Sequence, residues 1–174
     1  MTIFDRCCDR TKRLMLVTGS ALLASAIASS AAADTVRWRS VIGIIMANNV
    51  VGNIGGGGQP WSTLSGHASV DLSASRVEFE VRGLVLAGGN AIGTPGAIDQ
   101  VKGTLICDPG GANLTIDTVP VPLSARGDAE FSGTVPPIPT TCTSSNIAFL
   151  IRIPAPANRW IANGAVRSSP NDDH

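Results

Sequence analysis

Tyrosine is absent from this chain, phenylalanine and tryptophan are scarce, and histidine occurs twice, as His67 and His174. Surfaces that hold sugars or protein partners through rigid rings are rich in Tyr and Trp, so the shortage restricts that class of function to the three tryptophans. With His67 the single internal histidine, acid-base chemistry near neutral pH has one candidate. Charge is also sparse: Asp, Glu, Lys and Arg make up 15% of the residues. No basic run is long enough to follow a phosphate backbone, which excludes nucleic acid as a partner. After residue 33, helix-period apolar patterning is almost missing.

What is present begins with the leader. Arg6, Arg10, Lys12 and Arg13 form a basic segment, Leu14 to Ala28 an apolar one, and Ala31-Ala32-Ala33 supplies small residues at the positions a signal peptidase requires. The expectation is a cleaved signal peptide over 1–33, with the mature chain starting at Asp34 after Ala33. The competing reading is an anchor. Thr18, Gly19, Ser20, Ser25, Ser29 and Ser30 dilute the stretch below what about 20 spanning residues need. The Arg-Thr-Lys-Arg run lacks adjacent arginines, favouring the general export route. Its Ala/Ser-rich composition points to a bacterial source.

About 140 residues remain after cleavage, the size of one domain. They carry nine basic and eleven acidic residues, a net charge near −2. Cys7 and Cys8 leave with the leader, so Cys107 and Cys142 are expected to pair in the oxidising compartment the chain enters. Zinc is disfavoured because two lone cysteines without a nearby histidine fall short of four ligands.

Period-two alternation recurs along the mature chain. In Arg76-Val77-Glu78-Phe79-Glu80-Val81-Arg82 the apolar residues share one face and every charge occupies the other. His67 to Leu72 alternates likewise, and Ser73-Ala74-Ser75 between the two predicts a hairpin. Further strands are expected over Val36–Met46, Asp99–Cys107, Asn113–Val121, Ala129–Val135, Ile147–Ile153 and Trp160–Val166. About eight short strands punctuated by Gly, Pro, Asn and Asp predict a single antiparallel β-sandwich over 34–167, Ig-like or jelly-roll-like, with a flexible polar tail over 168–174. Residues 48–60, with Gly55-Gly56-Gly57-Gly58, read as a mobile loop that orders only through outside contacts.

Candidate sites are weak. Asp71 lies four residues from His67 on one strand face, about 13 Å away and beyond hydrogen-bond reach. Glu78 and Glu80 sit about 7 Å apart, yet Arg76 and Arg82 flank them, which fits a surface charge network better than a glycosidase pair. Asp128 and Glu130 read the same way. Glycines over 87–96 follow a strand but precede no helix, so they form no phosphate cradle. Trp38 and Trp160 fit half-buried strand positions beside arginines. Trp61, after the Gly-rich loop, is the tryptophan expected to be exposed and to meet a ligand.

The sequence therefore predicts a secreted or periplasmic, non-catalytic protein with a binding or structural role at the cell envelope. It implies no cofactor, no metal site and no membrane span in the mature chain. Expected partners are a polysaccharide, through Trp61, or another envelope protein. In the latter case strand addition would use the arm Asp34–Met46.

Overall fold

A computed structural model describes residues 34–167. The expected signal peptide, its cleavage point at Ala33, and the tail over 168–174 lie outside the described residues. Among those described there is no helix. The strands are β1 (Thr35–Gly43), β2 (Val50–Val51), β3 (Ile54–Gly55), β4 (Trp61–Ser62), β5 (Ser65–Asp71), β6 (Arg76–Arg82), β7 (Val85–Leu86), β8 (Gln100–Cys107), β9 (Leu114–Asp117), β10 (Val121–Pro122), β11 (Ala129–Thr134), β12 (Ile147–Arg152) and β13 (Trp160–Arg167).

One antiparallel sheet dominates, in the order β10-β8-β12-β13-β1-β5-β6-β11, with β9 also paired to β8. The two ends of that path, β10 and β11, are consecutive in the chain. They are joined by a tight turn in which the Ser124 N–H donates to the Asp128 carbonyl at 2.9 Å and Gly127 adopts φ 81°. The sheet therefore curls. Side chains confirm it: Phe79 on β6 and Phe149 on β12 have ring centroids 5.7 Å apart. Three strands lie between them, so a flat sheet would separate them by about 19 Å.

The β5–β6 hairpin forms as its alternation predicts, pairing Ser65 with Arg82 through Asp71 with Arg76. Its turn is fixed by the Asp71 carboxylate, which accepts from the Ser73 hydroxyl at 2.6 Å and the Ala74 N–H at 2.8 Å. Val77, Phe79 and Val81 are buried with Ala68 and Val70, and the interior continues through Val36, Trp38, Leu105 and Phe149. β8 and β12 are buried on both faces, with Thr104, Ile106 and Leu150 closed off opposite the interior residues. Near-continuous burial of this kind is why their apolar pattern lacks clean alternation.

Part of what covers that outer face is the Gly-rich segment. Gly57 N–H donates to the Trp160 carbonyl, Asn48 N–H to the Gly57 carbonyl, and the Trp160 indole Nε1–H to the Asn49 carbonyl at 3.0 Å. A Cβ on Gly52 would stand 3.2 Å from Ile106, and one on Gly57 3.3 Å from Ile161. The outside contacts this segment needs are thus supplied by β8 and β13. The strand-like arm after Asp34 also has a place: β1 lies in the middle of the sheet, paired to β13 on one side and to β5 on the other.

Candidate functional site

The outward faces of β1, β5, β6 and β11 form one polar surface. Register aligns Arg37, Ser69, Glu78 and Ser132 across the four strands, with Thr35, Asp71, Arg76 and Thr134 in a neighbouring row. These are the polar alternates of strands whose other residues fill the interior, so core packing sets their direction. Arg76 donates through Nε to Glu78 at 3.1 Å and through Nη2 to Ser132 Oγ at 2.8 Å, while the Ser132 hydroxyl donates to Glu78 at 2.9 Å. Arg82 binds Glu80 at 2.8 Å and reaches Glu130 at 3.7 Å.

The hydroxyl of Ser132, then Arg76, holds the Glu78 carboxyl below the usual carboxylate range. Asp71 is lowered by its bonds to Ser73 and Ala74. A general acid needs the opposite shift; here the hydrogen bonds favour the charged form of both carboxyls. His67 lines two shallow depressions on this face. One, of about 450 Å³, also includes Arg37, Arg39, Ser69 and Glu78; the other, of about 370 Å³, includes Glu80, Glu130 and Ser132. Asp71 is turned into its own hairpin turn, leaving His67 without it as an orienting partner.

The tryptophans are placed differently from expectation in one respect. Trp38 and Trp160 are buried as predicted, but Trp61 is buried too, at 5% exposure, which corrects its assignment as an exposed ligand contact. Its N–H donates to the Ile44 carbonyl, it pairs with Leu86, and Gly43 packs directly on its backbone. The ordered Gly-rich segment that was expected to expose Trp61 helps to enclose it, with Gly57 against the indole nitrogen. Cys107 and Cys142 are joined in a disulfide, as expected, and both are buried. The loop over 135–142, which carries Pro136, Pro137 and Pro139 and ends at the bridged Cys142, is also pinned to the β5–β6 turn, where Ile138 N–H donates to Ser75 Oγ at 3.0 Å.

Two arrangements escaped the sequence reading. Asp117 on β9 accepts from Lys102 Nζ at 2.7 Å and from Thr104 Oγ1 at 2.6 Å, and Arg152 Nη1 lies 3.4 Å away. Burial pushes the Asp117 carboxyl up, but the Lys102 and Thr104 hydrogen bonds and the charges of Lys102 and Arg152 more than offset it, leaving the group lowered. These residues are scattered over the sequence and only the β9-β8-β12 register joins them. The second is a groove of about 520 Å³ between the end of β1 and the start of β5, lined by Arg39, Ser40, Ile42, Ile45, Thr63 and Leu64 among others. Its trace in the sequence is Ile44-Ile45-Met46, three consecutive apolar residues where strand alternation stops.

Among the described residues no group of three His, Cys, Asp or Glu side chains is arranged to hold a metal ion, and no helix is long and apolar enough to cross a membrane. No protein-family model, curated protein or solved structure matches the chain. The described residues thus define a class alone: all-β, with a curled antiparallel sheet and the Cys107–Cys142 disulfide.

Proposed function

We propose that the protein is exported by the general secretory route and acts at the cell envelope as a non-catalytic binding or structural domain. In this reading the curl of the sheet amounts to sandwich-like packing, with β5, β6 and β11 laid over β8 and β12. The observation that carries the proposal is the buried Cys107–Cys142 bridge. A disulfide that uses both cysteines after residue 33 fits a chain working in an oxidising compartment. The commitment of Glu78, Glu80 and Asp71 to hydrogen bonds and ion pairs supports a role without acid-base chemistry.

The test is expression of the full chain in a bacterial host, fractionation, and N-terminal sequencing of the accumulated product. A periplasmic or extracellular product starting at Asp34 with no free thiol is the expected result. A cytoplasmic product starting at Met1, with Cys107 and Cys142 both alkylatable, overturns it.

A further inference from the structure

β11 carries a row of backbone groups with no partner. Val135 N–H donates to the Ser75 carbonyl, and β11 meets β6 in unbroken register from Ala129 opposite Val81 to Thr134 opposite Arg76. The alternation of an antiparallel ladder then turns Ala129, Phe131 and Gly133 toward β6 and points the N–H and C=O groups of Glu130, Ser132 and Thr134 the other way. Among the described residues no strand pairs with them there.

The neighbour that fails to pair is β10, and the reason is in its sequence. Leu123 N–H donates to the Asp99 carbonyl on the β8 side, so Ser124 and Pro122 face away from β8, and Ser124 N–H reaches the Asp128 carbonyl. Continued as a hairpin from that rung, the two strands would set Pro122 against Glu130 and Pro120 against Ser132. Neither proline has an N–H to give, so the ladder stops at the turn. β11 itself has none of the devices that blunt an edge: no proline, no lysine and no bulge. The interior is also less closed beside it. Phe131 is part-buried, whereas Phe79, 6.0 Å away, is 2% exposed. Free backbone groups next to an incompletely covered core call for a strand.

The sequence of β11 selects the occupant. Two copies laid antiparallel about a two-fold axis at Ser132 use every free rung: Glu130 opposite Thr134, and Ser132 opposite itself. No like charges face each other, and Phe131 of each copy stands opposite Gly133 of the other, where no Cβ crowds the ring. Slipped by two residues in one direction, Thr134 meets Asp128, whose N–H and C=O are already bonded to Ser124. Slipped in the other, Glu130 meets Pro136, which has no N–H.

We infer that β11 is a self-association edge, through which two copies of this chain pair by Glu130, Ser132 and Thr134 into one continuous sheet. This goes beyond the binding or structural role proposed above and does not depend on export. Sedimentation velocity of the purified protein over a rising concentration series should show monomer passing to dimer, with amide exchange at Glu130, Ser132 and Thr134 slowing as the dimer forms. Thr134→Pro removes an N–H that takes no part in the β6 ladder, a position where an edge strand tolerates proline, so its urea midpoint should stay near wild type. The two-fold axis repeats the loss in both copies, and the dimer should weaken about tenfold or more. Ser132→Lys keeps the backbone but faces its own charge across the axis; it should weaken the dimer too, and an equal mixture with Ser132→Glu should restore it.

Wild type that stays monomeric throughout the series overturns the inference and leaves the edge to a strand of another protein. A dimer that both Thr134→Pro and Ser132→Lys leave intact, with the three β11 amides exchanging as in the monomer, overturns it in favour of another face.

Discussion

The rings of Phe79 and Phe149 meet across the inside of the sheet, 5.7 Å apart, and Gly103 on β8 is the residue that lets them. A Cβ on Gly103 would stand 3.0 Å from Phe79 and 3.1 Å from Phe149. Trp38 lies 5.6 Å from Phe149 and Phe131 6.0 Å from Phe79, so four rings from β1, β6, β11 and β12 share one layer. Few aromatics occur in this chain, and four of the six described ones stand where the curl must be filled.

Gly103→Val should therefore cost about 1–3 kcal/mol, the range for forcing extra carbon atoms into a packed interior. The check is the urea midpoint at unchanged slope. An unaltered midpoint would mean the ring layer has slack, and the account of the curl would have to change.

Gly56 and Gly57 are tied to the strand end at Trp160. Trp160→Phe keeps most of the ring but removes the Nε1–H that meets the Asn49 carbonyl. A loss of about 1 kcal/mol is expected, with faster amide exchange at Asn48, Gly56 and Gly57, whose N–H groups bond within this segment or to Trp160. Uniform exchange in wild type and variant would show that the indole does not hold the segment.

How much of this was legible beforehand depends on distance along the chain. The β5–β6 hairpin was readable because Val77, Phe79 and Val81 alternate with charges and the Ser73-Ala74-Ser75 turn stands just before their strand; so was the Cys107–Cys142 pair, because with Cys7 and Cys8 expected to leave with the leader no other partner remained. The burial of Trp61 was not readable. It depends on Ile44, Leu86 and Gly57 arriving from three separate segments, and a flexible composition gives no hint that a neighbouring strand will order it. The single path from β10 to β11 was hidden for the same reason. Alternation tells which face a residue takes but not which strand stands beside it, and the Phe79–Phe149 contact exists only once that order is known.

The disulfide closes a loop with a sequence separation of 35 residues and ties the end of β8 to the loop before β12. The double variant Cys107→Ser/Cys142→Ser should lose about 4 kcal/mol on the chain-entropy account. Denaturation with and without reductant checks it. Reductant should bring wild type down to the variant and leave the variant where it is; a variant as stable as the oxidised wild type would remove the bridge from the stability argument.

Asp117 should make stability depend on pH in a definite direction. Its folded carboxyl is lowered from the ordinary 3.8, so the unfolded chain binds the proton more readily and the group stabilises the fold at neutral pH. That contribution is complete above about pH 5 and disappears as pH falls below about 4, through the folded value. Asp117→Asn keeps the shape but leaves Lys102 and Arg152, with side chains 13 and 10% exposed, facing no counter-charge. Because Asp117 itself is 35% exposed, the cost at pH 7 should lie between that of an exposed pair and a buried one, about 1–2 kcal/mol. Urea midpoints of the two proteins from pH 7 to pH 2 should converge as the wild-type carboxylate takes up its proton. A gap that stays constant through that range would show that the side chain acts through Thr104 and its shape, and not through its charge.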